Sequence, residues 1–262
     1  MMRTFENKFL MKLFSAPQAL FWALLLVAGC SSIPEEQRSD LRDQHENSNR
    51  KVFAFNMDVD TYVLEPAAKA YIDTVPEGAK RAISNHLQWA GMPSTALNST
   101  LQGKFENAGL ATLNFLVNGL TLGFADLADD DTPILKEDFG QTLAAANMPE
   151  GSYLMVPLLG PQTTRSLTGT VVDMIVNPYG KLAAGANASN AATIKTPLNA
   201  VTFRAKTFDA FNTVKYDSLD PYARTRSIYY QARQGLMDDK TMPEIGVSDS
   251  DDEFDAFFES AE

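Results

Sequence analysis

Few side chains in this sequence are equipped for covalent or metal chemistry. Cys30 is its single cysteine, and His45 and His86 are its two histidines. A zinc site wants about four nitrogen or sulfur ligands, and a thiol nucleophile wants an imidazole beside it. Neither can be assembled from this inventory. No Gly-x-Ser-x-Gly elbow, phosphate-cradling glycine loop or Gly-x-Gly-x-x-Gly turn occurs. Ser48-Asn49-Arg50-Lys51 fits Ser-x-x-Lys, but no Lys-Thr-Gly accompanies it, so we read it as chance. Asp126, Asp129, Asp130 and Asp131 could offer carboxylates to calcium. They lack the glycine turn and distal glutamate of an EF-hand loop, and a solvated turn closing an apolar helix is the other reading. No catalytic residue, metal or cofactor is expected.

Cys30 has a different use. Arg3, Lys8 and Lys12 precede an apolar run from Ala19 to Val27, which is too short to span a bilayer and reads as a signal peptide over residues 1–29. The run ends in Val27-Ala28-Gly29-Cys30, which resembles the lipobox of bacterial lipoproteins, where small residues admit a peptidase and the cysteine thiol receives a diacylglycerol. Cys30 is thus the expected lipidation site. Ser31 in place of Asp resembles lipoproteins sorted to the outer membrane. Residues 30–48, polar and of mixed charge, read as a tether.

The remaining length suits one domain, and a net charge of −11 argues against nucleic acid as a partner. Much of that charge lies at the end of the chain. Residues 238–262 hold ten acidic side chains against Lys240, with Phe254, Phe257 and Phe258 among them. Such a segment is either a solvated, disordered tail or a docking strip for a basic, grooved partner.

The elements between tether and tail read as helices. Thr196-Pro197 looks like a capped start for a helix to about Val214, with Ile194, Leu198, Val201, Ala205 and Phe208 on one face. Asp220-Pro221 opens another, to about Leu236. Tyr153 to Leu159, broken by Pro157 and closed by Gly160-Pro161, reads as a loop or short hairpin.

Two segments stand apart. Asn107 to Ala125 is nineteen residues without a charge, nearly a membrane span, and its polar residues Asn107, Asn114, Asn118 and Thr121 fall on one helical stripe. Ser166 to Asn177 repeats the design with Ser166, Thr170, Asp173 and Asn177 beside Leu167, Val171, Val172, Met174, Ile175 and Val176. Surface helices in water normally show charge on the outer face. These helices are therefore either exposed to lipid, with Asn114, Asn118, Thr121, Thr170 and Asp173 lining an interior path, or buried in a core where neighbouring backbone satisfies the asparagines.

The order of motifs from about residue 49 to 236 resembles the MlaA, or VacJ, lipoprotein family. Asn49-Arg50-Lys51-Val52-Phe53-Ala54-Phe55-Asn56 is similar to the family's opening block. It is followed by Asp60, Pro66, Pro93, Asn98, Glu137 to Leu143, Pro157-Leu158-Leu159-Gly160-Pro161, Arg165 and Asp173, and it closes on Ser218-Leu219-Asp220-Pro221-Tyr222. Departures are Asn114 for a usual Arg, Ser166 for Asp, His86 for Phe, and a shortened glycine-rich stretch at Gly119 and Gly123.

The resemblance implies a mainly α, ring-like, membrane-embedded domain over residues 49–237 with an amphipathic channel. Misplaced phospholipids would pass through it from the outer leaflet of the outer membrane to a periplasmic lipid-binding carrier protein, in the company of a trimeric porin and without a cofactor. Two rival classes stay open, a lipid-anchored hydrolase and a structural envelope scaffold.

Overall fold

Helices make up most of the chain, as the scarcity of alternating apolar patterns predicts. The computed structural model describes residues 39–127, 133–176 and 188–239, with backbone alone over 188–196. Cys30, Asp129 to Asp131, Asn177 and the acidic strip from Lys240 onward lie outside these residues.

In chain order the elements are α1 (Glu46–Val59), a π-helical turn (Asp60–Leu64), α2 (Glu65–Thr74), α3 (Glu77–Trp89), α4 (Met92–Leu101) and α5 (Phe105–Asn118). After a 3₁₀ turn (Gly119–Thr121) come α6 (Phe139–Ala145), strands β1 (Tyr153–Val156) and β2 (Gly160–Thr163), and α7 (Thr164–Val176). The last are α8 (Ala188–Lys206), α9 (Phe208–Asn212), a second π-helical turn (Thr213–Asp217) and α10 (Pro221–Met237). The strands form an antiparallel hairpin with Tyr153 opposite Thr163.

Local chemistry explains most boundaries. Asp138 and Gln141 form a reciprocal capping box on α6. Asp220 caps α10 by accepting from the Ala223 amide at 3.1 Å, with Pro221 in the first turn where its missing N–H costs nothing.

Two expectations are corrected. Pro197 is not a first-turn residue, because it lies inside α8, which begins at Ala188. α8 packs along α2, and Pro197 itself is exposed. That helix also stops at Lys206 rather than running to Val214. The uncharged stretch likewise is not one helix. α5 ends at Asn118, and Leu122 (φ 53°) and Gly123 (φ +75°) turn the chain back.

The core is aromatic and sits where α1, the hairpin and α10 meet: Phe53, Tyr153, Met155, Tyr222 and Tyr230. Tyr153 meets Tyr222 edge-on at 6.2 Å, and Phe53 meets Tyr222 at 5.6 Å. Two asparagines one heptad apart on α1 hold the hairpin to it. Asn49 donates to the Tyr153 carbonyl at 3.1 Å and accepts from the Met155 amide at 2.9 Å. Asn56 does the same for the Val156 carbonyl and the Leu158 amide, at 3.1 and 2.8 Å. A carboxamide presents an N–H donor beside a carbonyl acceptor, so each substitutes for a neighbouring strand.

The folded body starts before Asn49. Asp43, which composition places in the tether, is fully buried and accepts from the Arg226 guanidinium at 2.6 Å and from the Tyr222 hydroxyl. A second ion cluster joins the two π-helical turns. Arg204 donates to Asp60 at 2.7 Å, and Lys215 reaches both Asp60 and Glu65 at 2.8 Å. Burying charges in this way is tolerable because every member has a partner.

The pairwise packing of these elements closes on itself. α2 lies on α8, α8 touches α3, α3 touches α5, α5 lies along α4, α4 touches α6, and α6 meets α10. From α10 the second π-helical turn and α9 lead back to α2.

The Lys215 hydrogen bond holds the Glu65 carboxyl below its usual range, and the Arg50 guanidinium does the same for Asp220. A depressed carboxylate pKa means that the unfolded chain takes up protons first as pH falls, so stability rises with pH through that range. Thermal melts are expected to be level above about pH 5 and to move to lower temperature below about pH 4.

Candidate functional site

The polar stripes and the apolar faces of the two unusual helices point in opposite directions. On α5, Leu113, Leu116 and Val117 are exposed, and Leu120, in the turn that follows, is 82% exposed, while Asn118 is only 5% exposed. Leu122, Phe124 and Leu127 extend the exposed apolar band, and Met174, Ile175 and Val176 at the end of α7 are exposed too. Taking one such side chain out of water is worth about 1.5–3 kcal/mol. Ten left fully in water would forgo as much as the entire stability of an ordinary domain, about 5–15 kcal/mol, or more.

Beneath the band, polar side chains are held by one another and by backbone. Asn107 is buried and pairs with Leu135 as a strand would, donating to its carbonyl at 2.9 Å and accepting from its amide at 2.8 Å. Asn118 donates to Asp126 at 2.8 Å and to half-buried Asn114 at 3.2 Å, and accepts from the Leu127 amide at 2.7 Å. Thr121, also half-buried, donates to the Ala125 carbonyl at 3.1 Å and accepts from the Ala125 amide.

Asp173 is the centre of a knot that sequence reasoning did not assemble. One of its oxygens accepts from Ser94 and from Asn98, both at 2.9 Å, and the other accepts from the Phe139 amide at the start of α6, also at 2.9 Å. Thr142 completes fully buried Asn98 from the other side at 2.9 Å. α4, α6 and α7 are thereby fixed to one carboxylate. Thr170, one turn earlier on α7, is half-buried and has no hydrogen-bond partner among the described residues. Asn114, Asn118 and Thr121 are thus brought together at the end of α5, while Asp173 and Thr170 stand on α7. The residues missed are Ser94, Asn98 and Thr142, whose signal was Ser94 and Asn98 one turn apart on an α4 without charge.

Aromatic rings lock the turn after α5. His86 stacks on Phe124 at 4.8 Å, with its Nδ1 2.7 Å from the Leu122 carbonyl. Trp89 stacks on Phe115 at 5.1 Å and donates its indole N–H to that residue's carbonyl at 2.8 Å. Gly123 is required twice over, by its positive φ and because a Cβ there would lie 2.5 Å from the Cβ of Trp89.

Among the described residues no helix is long and apolar enough to cross a membrane, and no three His, Cys, Asp or Glu side chains are grouped to hold a metal. These features define a class, a helical protein with an exposed apolar band over a layer of hydrogen-bonded polar side chains. The sequence model of the MlaA lipoprotein matches residues 41–236, and the chain belongs to that family.

Relatives agree. The Haemophilus influenzae protein named intermembrane phospholipid transport system lipoprotein MlaA is 30% identical over 242 residues, covering 89% of this chain and 94% of its own length. The Escherichia coli K12 protein of the same name is 29% identical over 220 residues, covering 81% and 85%. A solved structure reported as the structural basis for maintenance of bacterial outer membrane lipid asymmetry aligns with a TM-score of 0.63 at 29% identity, covering 74% of this chain and 98% of that one.

Two substitutions test the geometry. Asp173→Leu strands the donors of Ser94, Asn98 and Phe139 and should cost about 3 kcal/mol in denaturant unfolding. Gly123→Ala forces a β-carbon into the left-handed region and should cost about 1–3 kcal/mol from φ alone, with the Trp89 contact adding to it.

Proposed function

We propose that the chain is an outer-membrane lipoprotein, held through Cys30 and facing the periplasm, that removes misplaced phospholipids from the outer leaflet and passes them to a periplasmic lipid carrier. The single observation behind this reading is the exposed apolar band around a hydrogen-bonded polar interior. Such a surface is stable against acyl chains and costly against water.

The helix lengths support a shallow seat. α5 has 14 residues and is about 21 Å long, against about 30 Å for a hydrocarbon core. It therefore suits one leaflet rather than a full span. The closed circuit of helix packing supports a ring with a path through it. Asn114, Thr121 and Thr170 are the proposed wall residues for head groups, with Asn118 and Asp173 holding that wall in shape. The relatives named for intermembrane phospholipid transport support the cargo, and a trimeric porin and a periplasmic carrier are the proposed companions. No nucleophile is required, because moving a lipid needs a route and breaks no bond.

Deleting the gene in its host and measuring phospholipid exposed on the cell surface tests the reading. Surface phospholipid should rise several-fold and return to normal with the wild-type chain. Cys30→Ala should not restore it, and Thr170→Leu should restore it only in part without lowering the melting temperature. Unchanged surface phospholipid in the deletion strain overturns the proposal. Fatty acid released from labelled phospholipid by the purified protein would replace it with a hydrolase.

A further inference from the structure

The carboxylates of the described body are largely spent on its own cations, and Arg165 is left out of these pairings. Its Nη1 donates to the Met148 carbonyl at 2.9 Å, its Nε is buried with no hydrogen-bond partner, and no carboxylate among the described residues pairs with it. A guanidinium in that position holds a permanent charge with donor capacity unused.

Arg165 lines a cleft of about 430 Å³ together with Gln102 and Lys104 from the end of α4, Ala144 and Ala145 of α6, and Asp239 after α10. Small-molecule sites commonly have about 300–1,000 Å³. The lining is amphiphilic, combining the cations Lys104 and Arg165 with Ala144, Ala145 and Leu236. Lys104 is already taken up, by Glu137 at 2.8 Å and by Asp239. Arg165 is therefore the cation with capacity to spare, and Asp239 is an internal anion at the same cleft.

The position of the cleft narrows the ligand. Gln102 and Lys104 are flanked by Leu101 and Phe105, 55% and 72% exposed, and Met148 beside Arg165 is exposed as well. Cations at the edge of exposed apolar side chains match the level at which a leaflet turns from acyl chain to phosphate.

We propose that this cleft is a binding site for the phosphate of a phospholipid head group, with Arg165 as its anchor and Asp239 as a competing internal carboxylate. This rests on the transport reading above and adds to it a defined place where a lipid is held. The terminal Nη groups of Arg165, rather than its buried Nε, would donate to the phosphodiester oxygens. The apolar lining would favour an esterified phosphate over the free ion.

The test uses the full chain in non-ionic detergent, titrated calorimetrically with dihexanoylphosphatidylglycerol, with dihexanoylglycerol, which lacks the phosphate, and with inorganic phosphate. The wild type should prefer the phospholipid over dihexanoylglycerol. Arg165→Gln should reduce that preference about tenfold. Asp239→Asn should raise it several-fold, and because Asp239 is a surface residue at φ 55°, where asparagine is well tolerated, this variant keeps its fold. An unchanged preference in both variants overturns the site while leaving the transport reading, which the deletion strain decides separately. Inorganic phosphate binding as tightly as the phospholipid would also overturn it, making the cleft a site for the free ion.

Discussion

A band of exposed apolar side chains imposes one constraint on what lies beneath it, because a polar group that cannot face water must find its partner inside the protein. The described body meets this with side chains that imitate backbone. Asn49, Asn56 and Asn107 each offer a carboxamide to the amide and carbonyl of a neighbouring segment, so loops and strand edges that would otherwise need water are closed internally. Asp173 does the same for the first amide of α6 and for two side chains of α4. Polar side chains are accordingly buried while some large apolar ones are exposed: Asn98 and Asp43 are wholly buried, and Leu120 and Phe105 are not.

The same constraint explains why the strong charges sit in pairs at the joints between early and late parts of the chain. Asp43 with Arg226 and Asp60 with Arg204 and Lys215 connect residues well over a hundred positions apart. A buried pair adds little net stability over an apolar substitute, but a lone member would be very unfavourable, so such pairs favour one register over its alternatives. The π-helical turns at Asp60–Leu64 and Thr213–Asp217 supply Asp60 and Lys215, since one extra residue per turn shifts the side-chain register locally.

Much of this was legible in the sequence. Helical periodicity, Asp220-Pro221 and the Pro157 to Pro161 turn located α10 and the hairpin, and the polar stripes of α5 and α7 were visible as spacing. What the spacing could not supply was the partner of each polar residue. Asn118 and Asp173 look alike on a helical projection, yet one closes a local turn and the other ties three helices together. Pro197 misled because first-turn preference is a local signal and packing against α2 is not. Asp43 was passed over because a lone charge in a polar stretch resembles a tether until Arg226, 183 residues away, is brought beside it.

The distribution of charge also fits the proposed movement of a lipid. Neutral hydrogen bonds are worth about 0.5–1.5 kcal/mol net, and those to charged groups about 1.5–3 kcal/mol. A wall of amides and hydroxyls therefore lets a head group exchange partners at small cost, whereas an unpaired guanidinium along the route would hold a phosphate in place. The stripe of α5 has no charge of its own, and the carboxylate of Asp173 is committed to three donors. Arg165, which lines a separate cleft and pairs with no carboxylate among the described residues, stands apart from both stripes, where tighter holding would not obstruct passage. The separation of weak from strong partners is what a conduit with a defined resting place for its cargo requires.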